Sequence, residues 1–383
     1  MNRRTVLQAP LFALVSLAAS PARKASAATA GEIRIGGLTF LTGRFASYGV
    51  AVQKGVEIAS SKVNAEGGVR NKKLVIDLQD TASDSAQAVS LLRRFAASDD
   101  VVAVLGPTGT PDLLAILPVA QGLGLPVLSV GSQKTMTKDD FPDDVFRVGL
   151  IGKPEVIAFF LKRVSGTHPV TRIGLFIDRA NDSSQAESAA LREALKSVPG
   201  SEIAEEATYV SGDKEFSVPI SKMVRAKVDA MYLSGTTNED VIIIPQARAR
   251  GFKGVFLGSA TLTDPKIVEV VGPVAAPYAI FTPFNASSDR PAVKEFVAAY
   301  AKAYGSGGVP TYAAYAYDAV MLIKDALLRA GSEDRKAVLH AVATTKDFHG
   351  VTGNYSYDGK GDNTTPQPYV LQLGPDGKFV PLP

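Results

Sequence analysis

The loop at residues 106–112, Gly-Pro-Thr-Gly-Thr-Pro-Asp, joins a buried-looking strand to the start of a helix. It offers the hydroxyl groups of Thr108 and Thr110 together with a cluster of backbone N–H groups. Pro111 suits the first position of a helix, and Thr110 suits its N-cap. Free N–H groups at a helix N-terminus favour negative charge, so the loop predicts a site for an anion such as a carboxylate. The alternative is that Thr110 only caps the helix.

Side chains suited to catalysis or metal binding are sparse. The three histidines, His168, His340 and His349, form no metal-binding spacing, and the chain has no cysteine. It contains neither a G-x-S-x-G nucleophile motif nor a G-x-G-x-x-G motif after a predicted strand. We therefore expect a binding protein without a metal or organic cofactor, and an enzyme is the remote alternative.

The first 27 residues have the pattern of an export signal. Arg3 and Arg4 precede an apolar run at residues 11–19, and Ala25-Ser26-Ala27 fits the cleavage pattern. The run is shorter than the ~20 residues that span a membrane. The paired arginines resemble a twin-arginine signal, although ordinary secretory signals share them. We expect cleavage near Ala27, a periplasmic location and no membrane insertion.

Removal of this segment changes the charge of the protein. The chain of 383 residues has 41 basic and 38 acidic residues, a net charge of +3. Residues 1–27 hold four of the basic residues and no acidic one, so 37 basic and 38 acidic residues remain, a net charge of −1. No basic surplus is left to attract nucleic acid.

Short apolar runs alternate with amphipathic segments along most of the chain. Strands are predicted at residues 33–38, 74–78, 101–105, 126–130, 172–177, 230–233, 255–257 and 279–282, and helices at 51–64, 86–97, 111–121, 154–164, 183–198, 216–226 and 241–250. This alternation of strands and helices occurs twice. Two further helices (292–304 and 312–329) and a hairpin-rich tail follow. Apolar runs that alternate with helices predict an α/β protein with two Rossmann-like lobes, each a doubly wound parallel sheet.

An ordered set of motifs resembles the periplasmic branched-chain amino acid (Leu/Ile/Val)-type binding proteins, the soluble receptors of ABC importers. The matching pieces are Leu41-Thr42-Gly43, Tyr48-Gly49, residues 64–69, residues 246–252, Tyr317-Asp318-Ala319 and residues 348–353. The resemblance implies a type I periplasmic binding protein, whose two lobes close on a ligand by hinge bending. It places lobe 1 at residues 31–149 plus 285–349 and lobe 2 at 150–283 plus 350–383, with the third crossing near 348–351.

The resemblance also implies where lobe 1 contacts its ligand. Hydroxyl and backbone N–H groups there would bind a carboxylate, and aromatic rings would form the cleft wall. The positions are Tyr48, Thr108, Thr110, Gly131, Ser132, Gln133 and Tyr312. Gln133 stands where the family usually has threonine, so the pocket is expected to differ in shape from one built for an amino acid.

Lobe 2 departs further from the family pattern. Its contact positions are Asp182, Ser183, Thr236 and Ala260. In the branched-chain amino acid receptors a glutamate at the Ala260 position pairs with the ammonium group of the ligand, and alanine cannot. An unpaired buried charge is costly. The sequence therefore favours an aromatic or short aliphatic acid, unless Asp182 or Asp178 supplies the missing carboxylate; Asp182 also fits a helix N-cap.

The resemblance implies two partners for a monomeric receptor: a small-molecule carboxylate ligand and the transmembrane subunits of an ABC permease. A sensing module of the same fold, which reports ligand occupancy to a signalling partner, is the alternative. Both functions need a cleft that closes, so the residues leave the two open.

Overall fold

Two sheets form the body of the protein. The computed structural model describes residues 31–374 and 376–382, so the predicted signal segment lies outside the described residues. The first sheet contains β1 (Glu32–Thr39), β2 (Lys73–Asp80), β3 (Val101–Thr108), β4 (Val127–Val130) and β5 (Val145–Val148). Its strands are all parallel, in the spatial order β2-β1-β3-β4-β5.

The second sheet is larger and has an antiparallel edge. It begins with β6 (Arg172–Asp178), β7 (Glu202–Tyr209), β8 (Ala230–Leu233), β9 (Val255–Gly258) and β10 (Tyr278–Thr282). A separate hairpin of β11 (Phe348–Gly350) and β12 (Gly353–Tyr355) follows, and then β13 (Tyr369–Leu373) and β14 (Phe379–Pro381) return to the second sheet. The spatial order is β14-β13-β10-β9-β8-β6-β7.

Helices cover both faces of both sheets. They are α1 (Ala46–Ala65), α2 (Ser85–Ala96), α3 (Thr110–Ala120), α4 (Pro154–Ser165), α5 (Asp182–Leu195), α6 (Ser217–Arg225), α7 (Thr237–Ala249), α8 (Pro265–Val271), α9 (Pro291–Tyr304), α10 (Thr311–Ala330) and α11 (Arg335–Ala343). In lobe 1, α1, α9, α10 and α11 cover one face and α2 and α3 the other; in lobe 2, α4 and α5 lie opposite α6, α7 and α8. The predicted doubly wound lobes are confirmed. In the part of the chain that the structure describes, we find no helix long and apolar enough to span a membrane.

A glycine contact holds the two longest helices together. A Cβ at Gly55 of α1 would overlap the carbonyl oxygen of Ala313 on α10, so only glycine permits this approach. The contact places Tyr48 and Tyr312, near the N-terminal ends of α1 and α10, side by side with ring centroids 4.8 Å apart. The helix pair thereby positions one wall of the cleft.

The predicted strands and helices are present, with ends that differ by a few residues. The sequence analysis missed β5, β7, α8 and α11. The strand β7 is an edge strand with the sequence EIAEEATY, and its charged residues hide the apolar pattern. The segments β5 and α8 are short, with four and seven residues, so their periodicity is weak.

The third crossing between the lobes lies later than predicted. The hairpin β11–β12 adjoins α10, and Tyr355 and Tyr357 belong to the core of lobe 1. The next strand, β13, pairs with β10 of lobe 2. Gly361 still pairs with Phe146 of β5 in lobe 1. We therefore assign the crossing to residues 362–368 rather than 348–351, because the hairpin and the segment after it remain attached to lobe 1.

Candidate ligand-binding site

A narrow cavity lies between the lobes, where strands end and helices begin. Lobe 1 contributes Phe40, Phe45, Tyr48, Gly109, Pro111 and Tyr312 to its wall, and lobe 2 contributes Asn181, Ser183, Glu187, Ser234, Gly235 and Thr261. This is the expected ligand position in doubly wound sheets. The cavity volume of about 20 Å³ is enough for about one water molecule. The lobes are therefore shut against each other.

Hydrogen bonds across the cleft hold the shut form. The Ser183 hydroxyl of lobe 2 donates to Thr110 Oγ1 of lobe 1 at 2.8 Å. The backbone N–H of Thr237, at the start of α7, donates to the Tyr48 hydroxyl at 3.2 Å. A ligand larger than water can enter only if these bonds break and the lobes separate.

Thr110 lies at the centre of the contact between the lobes. It is the first residue of α3, and Gly109, with φ of 76°, occupies the N-cap position, so the predicted N-cap role of Thr110 is wrong. Its Oγ1 accepts a bond from the backbone N–H of Gln133 at 3.0 Å and lies 3.4 Å from Ser132 Oγ. The side chain therefore belongs to a network of hydroxyl groups that faces lobe 2.

The second loop of lobe 1 lies directly beside Thr110. The Gly131 carbonyl accepts a bond from the Tyr312 hydroxyl at 3.1 Å. Arg147 Nη1 donates to Ser132 Oγ at 3.3 Å. Gln133 is buried; its Oε1 accepts from the backbone N–H of Gly152, just after the chain enters lobe 2, at 3.2 Å, and its Nε2 has no partner among the described residues. The loop thus combines hydroxyl and amide donors with a buried guanidinium behind them.

Of the remaining positions predicted in lobe 1, two line the cavity and one does not. Tyr48 and Tyr312 line the cavity as stacked rings inclined by 27°. The Thr108 hydroxyl lies 2.8 Å from the Thr39 hydroxyl at the end of the sheet and does not line the cavity. Contact of Thr108 with a ligand therefore has no support from the closed structure.

The predicted substitute acids of lobe 2 do not reach the cavity wall. Asp182 is exposed, and Asn181 rather than Asp182 caps α5 by accepting from the Ser183 backbone N–H at 3.0 Å. The Asp178 carboxylate accepts the backbone N–H groups of Ala180 and Ser211 at 3.0 and 3.3 Å. Of the residues predicted in this loop, Ser183 alone lines the cavity.

Two other lobe 2 predictions lie next to the wall. Thr236 occupies the N-cap position of α7, and its hydroxyl donates to the Glu239 carboxylate. Ala260 is buried at the start of a short 3-10 helix, and its neighbour Thr261 faces the cavity instead. Ligand contact at Thr236 and Ala260 stays a prediction.

Sequence reasoning missed a carboxyl group in the cavity wall. Glu187 lies on α5 and is 2% exposed. Its Oε1 accepts from the Tyr232 hydroxyl at 2.8 Å and its Oε2 from the Ser259 hydroxyl at 3.0 Å. Burial raises the pKa of Glu187 from 4.5 to about 7. The helical period was the available signal, because residues four apart share one face of a helix and Ser183 was already a candidate.

The raised pKa of Glu187 predicts a pH dependence of stability. The folded state holds a proton that the unfolded chain releases between pH 4.5 and about 7, so the free energy of unfolding falls as pH rises through this window. The contribution lost is on the order of 3 kcal/mol. Chemical denaturation of ligand-free wild type and Glu187→Gln should show their difference in stability changing across this window. A constant difference from pH 4.5 to 7 would contradict the assignment.

A family model described as periplasmic binding protein matches residues 32–378. This chain belongs to the periplasmic binding protein family. Leu/Ile/Val-binding protein homolog 1 of Brucella melitensis is 28% identical over 382 residues, which cover 96% of this chain and 98% of that protein. The Streptococcus pneumoniae LivJ structure in complex with isoleucine has a TM-score of 0.80 at 27% identity and covers 91% of this chain and 97% of its own.

A second similar structure was solved with a different ligand. An R. palustris solute-binding protein in complex with benzoate has a TM-score of 0.79 at 19% identity and covers 92% of this chain and 96% of its own. This likeness concerns the fold alone. The predicted resemblance and fold class are confirmed: the protein is a type I periplasmic binding protein, a substrate-binding protein by family.

Proposed function

We propose that this periplasmic binding protein encloses a small carboxylate ligand between its lobes and delivers it to the transmembrane subunits of an ABC importer. The observation that carries the proposal is the contact of Thr110 with Ser183, which joins the N-terminus of α3 to lobe 2 at 2.8 Å. A carboxylate placed there would receive both hydroxyl groups in place of their bond to each other. The Thr110 and Ser183 hydroxyl groups would then each keep a hydrogen-bond partner.

The electrostatics of lobe 1 support an anion at this point. The N-terminus of α3 carries the positive end of the helix dipole. Asp112 in the first turn of α3 is buried, and burial raises the pKa of its carboxyl. Arg147, which is paired with Asp362, donates to Ser132 Oγ at 3.3 Å and holds that hydroxyl in place beside Thr110. Together these groups make this part of the cleft suitable for a carboxylate.

Closure would couple binding to transport. A ligand that bonds to both lobes stabilises the shut form over the open form in proportion to its differential affinity for the two. Only the shut form brings the outer surfaces of the two lobes into a fixed arrangement for the permease. The arrangement of these surfaces would therefore report occupancy.

Thr110→Val is expected to weaken ligand binding by about 1–3 kcal/mol, because a hydrogen bond to a charged group is lost. The measurement is titration calorimetry on the mature protein. Suitable ligands are leucine, valine, benzoate and 4-methylpentanoate, preceded by a thermal-shift screen. Thr108→Val is the matched control, because the Thr108 hydroxyl bonds to Thr39 and does not line the cavity.

The control should bind as the wild type does. Equal affinity of wild type and Thr110→Val for every ligand that binds would return Thr110 to a purely structural role. A complete absence of binding by all carboxylates in the screen would overturn the proposed ligand class.

A further inference from the structure

The loop at residues 41–45 of lobe 1 is held rigidly at the edge of the cleft. The Asp80 carboxylate at the end of β2 accepts the backbone N–H of Thr42 at 3.1 Å and the Thr42 hydroxyl at 2.6 Å. The Phe45 N–H donates to the Ser83 hydroxyl at 3.2 Å, and that hydroxyl donates to the Thr42 carbonyl at 3.0 Å. All of these partners belong to lobe 1, so the loop is fixed independently of lobe 2.

Arg44, an exposed residue of this loop, bonds to lobe 2 through both its side chain and its backbone. Its Nη1 donates to the Ala180 carbonyl at 3.2 Å, two residues before α5 begins. Its own carbonyl accepts from Nδ2 of Asn238, the second residue of α7, at 3.3 Å. Asn238 Oδ1 accepts from Lys266 Nζ at 3.1 Å, which orients the amide from within lobe 2. One residue of lobe 1 therefore joins the starts of two helices of lobe 2.

These bonds lie outside the cavity. Arg44, Ala180 and Asn238 do not line its wall, whereas their sequence neighbours Phe45 and Asn181 do. Arg44 and Ala180 are exposed, and Asn238 is half-buried. The Arg44 guanidinium lies 4.5 Å from the centroid of the Phe45 ring, so it packs against the wall from the solvent side. The contacts of Arg44 therefore close the cleft at its outer edge.

The two bonds of Arg44 exist only while the lobes are together. Bonds within one lobe persist when the hinge opens, whereas a bond between the lobes must break. Each such bond shifts the equilibrium between the open and shut forms by its net free energy, which corresponds to a change of about three- to tenfold. Because Arg44 and Asn238 lie outside the wall, this contribution is the same whatever the cleft encloses.

We propose that Arg44 and Asn238 form a clasp, the pair of bonds from Arg44 to Ala180 and Asn238, that holds the cleft shut and sets how fast an enclosed ligand is released. The motif Leu41-Thr42-Gly43 then has a physical role, because its bonds to Asp80 fix the loop that carries Arg44. The inference rests on the proposed function in so far as a trapped ligand leaves when the lobes separate.

The first test measures the distance between the lobes without a ligand. The chain has no cysteine, so Ser90→Cys on α2 and Ala189→Cys on α5 place one spin label on an exposed position of each lobe. Double electron–electron resonance on the dialysed mature protein gives the distance distribution. We expect Arg44→Ala and Asn238→Ala each to raise the ratio of open to shut protein about three- to tenfold, and the double variant to raise it further.

An arginine of the facing loop gives the matched control. Arg179→Ala removes an exposed arginine next to Ala180 and controls for the loss of a positive charge at this edge of the cleft. It should leave the distance distribution of the labelled protein unchanged. Equal distributions for the wild type and both clasp variants would overturn the proposal. The same opening in Arg179→Ala as in Arg44→Ala would also overturn it.

The second test measures the release of ligand. The chain has no tryptophan, and Tyr48 and Tyr312 line the cavity, so tyrosine fluorescence in a stopped-flow displacement experiment reports ligand loss. The probes are those of leucine, valine, benzoate and 4-methylpentanoate that bind. Arg44→Ala and Asn238→Ala should release each of them about three- to tenfold faster and keep their order of affinity. A changed order would show contact with the ligand and would contradict the clasp.

The two proposals fail in distinguishable ways. If the clasp variants leave the distance between the lobes unchanged while carboxylates bind, the clasp falls and the proposed function stands. If the distances change as expected but no carboxylate binds, the clasp stands and the proposed ligand class falls.

Discussion

Replacing Arg147 by methionine is expected to lower the free energy of unfolding by about 3–5 kcal/mol, because it breaks a buried ion pair and leaves the other charge behind. The Arg147 side chain is 2% exposed. Its Nε donates to Asp362 Oδ1 at 2.5 Å, and its Nη1 donates to the Lys134 carbonyl at 2.6 Å. Denaturant unfolding of the ligand-free protein measures the loss.

The same change is expected to weaken ligand binding, because Arg147 also holds Ser132 Oγ in the loop beside Thr110. Arg147→Lys keeps the charge but not the planar fork, so it should recover part of the affinity and little of the stability. Arg192→Met is the matched control, since Arg192 and its partner Glu206 are both 43% exposed. The control should cost less than about 1 kcal/mol; an equal loss for Arg147→Met would contradict the role of the buried arginine.

Asp318→Ala is expected to destabilise the protein by about 3–5 kcal/mol, because two buried backbone N–H groups lose their acceptor at about 1–3 kcal/mol each. The carboxylate on α10 accepts the N–H groups of Val351 and Thr352 at 2.7 and 2.8 Å and the Thr352 hydroxyl at 2.5 Å. It therefore fastens the turn of the hairpin β11–β12 to lobe 1, just before the third crossing. Thermal and denaturant unfolding measure the effect.

An exposed aspartate gives the control for this prediction. Asp334 caps α11 by accepting from the Ala337 N–H at 2.9 Å, and Asp334→Ala should cost about 1 kcal/mol. Amide hydrogen exchange of Val351 and Thr352 should also accelerate in Asp318→Ala and stay unchanged in Asp334→Ala. Similar losses in both variants, with equal exchange, would show that the buried carboxylate does not hold the hairpin.

Much of the fold followed from local pattern. Strands such as β3 and β8 are apolar runs buried on both faces, and helices such as α2 have amphipathic patterns with a side-chain cap, here Asp84. These features depend on neighbours in sequence, so they can be predicted without the structure. The edge strand β7 and the position of the third crossing could not be predicted in this way, because they depend on pairing and burial between distant segments.

Part of the candidate site could be predicted from the sequence, in both lobes. The loop at 106–112 predicts an anion site through its small residues and its helix start. The family resemblance predicted Tyr48, Ser183 and Tyr312, which line the cavity, and Ser132, which lies behind Thr110. No local pattern marks Asp240 as buried, because an acid in the first turn of a helix is ordinarily a solvated partner of the helix dipole.

The sequence by itself determined the two-lobed α/β architecture, the expected export of the chain, and the small polar loop that begins α3. Only the tertiary structure decided which acid faces the cleft. Ala260 stands where the family resemblance implies a carboxylate, and it lies beside the cavity wall. Glu187, which lines that wall, and Asp240, which is fully buried, lie on helices that the sheet brings together from separate parts of the chain. The burial of both carboxyls, and the lack of a hydrogen-bond partner for Asp240 among the residues that the structure describes, are properties of that assembly.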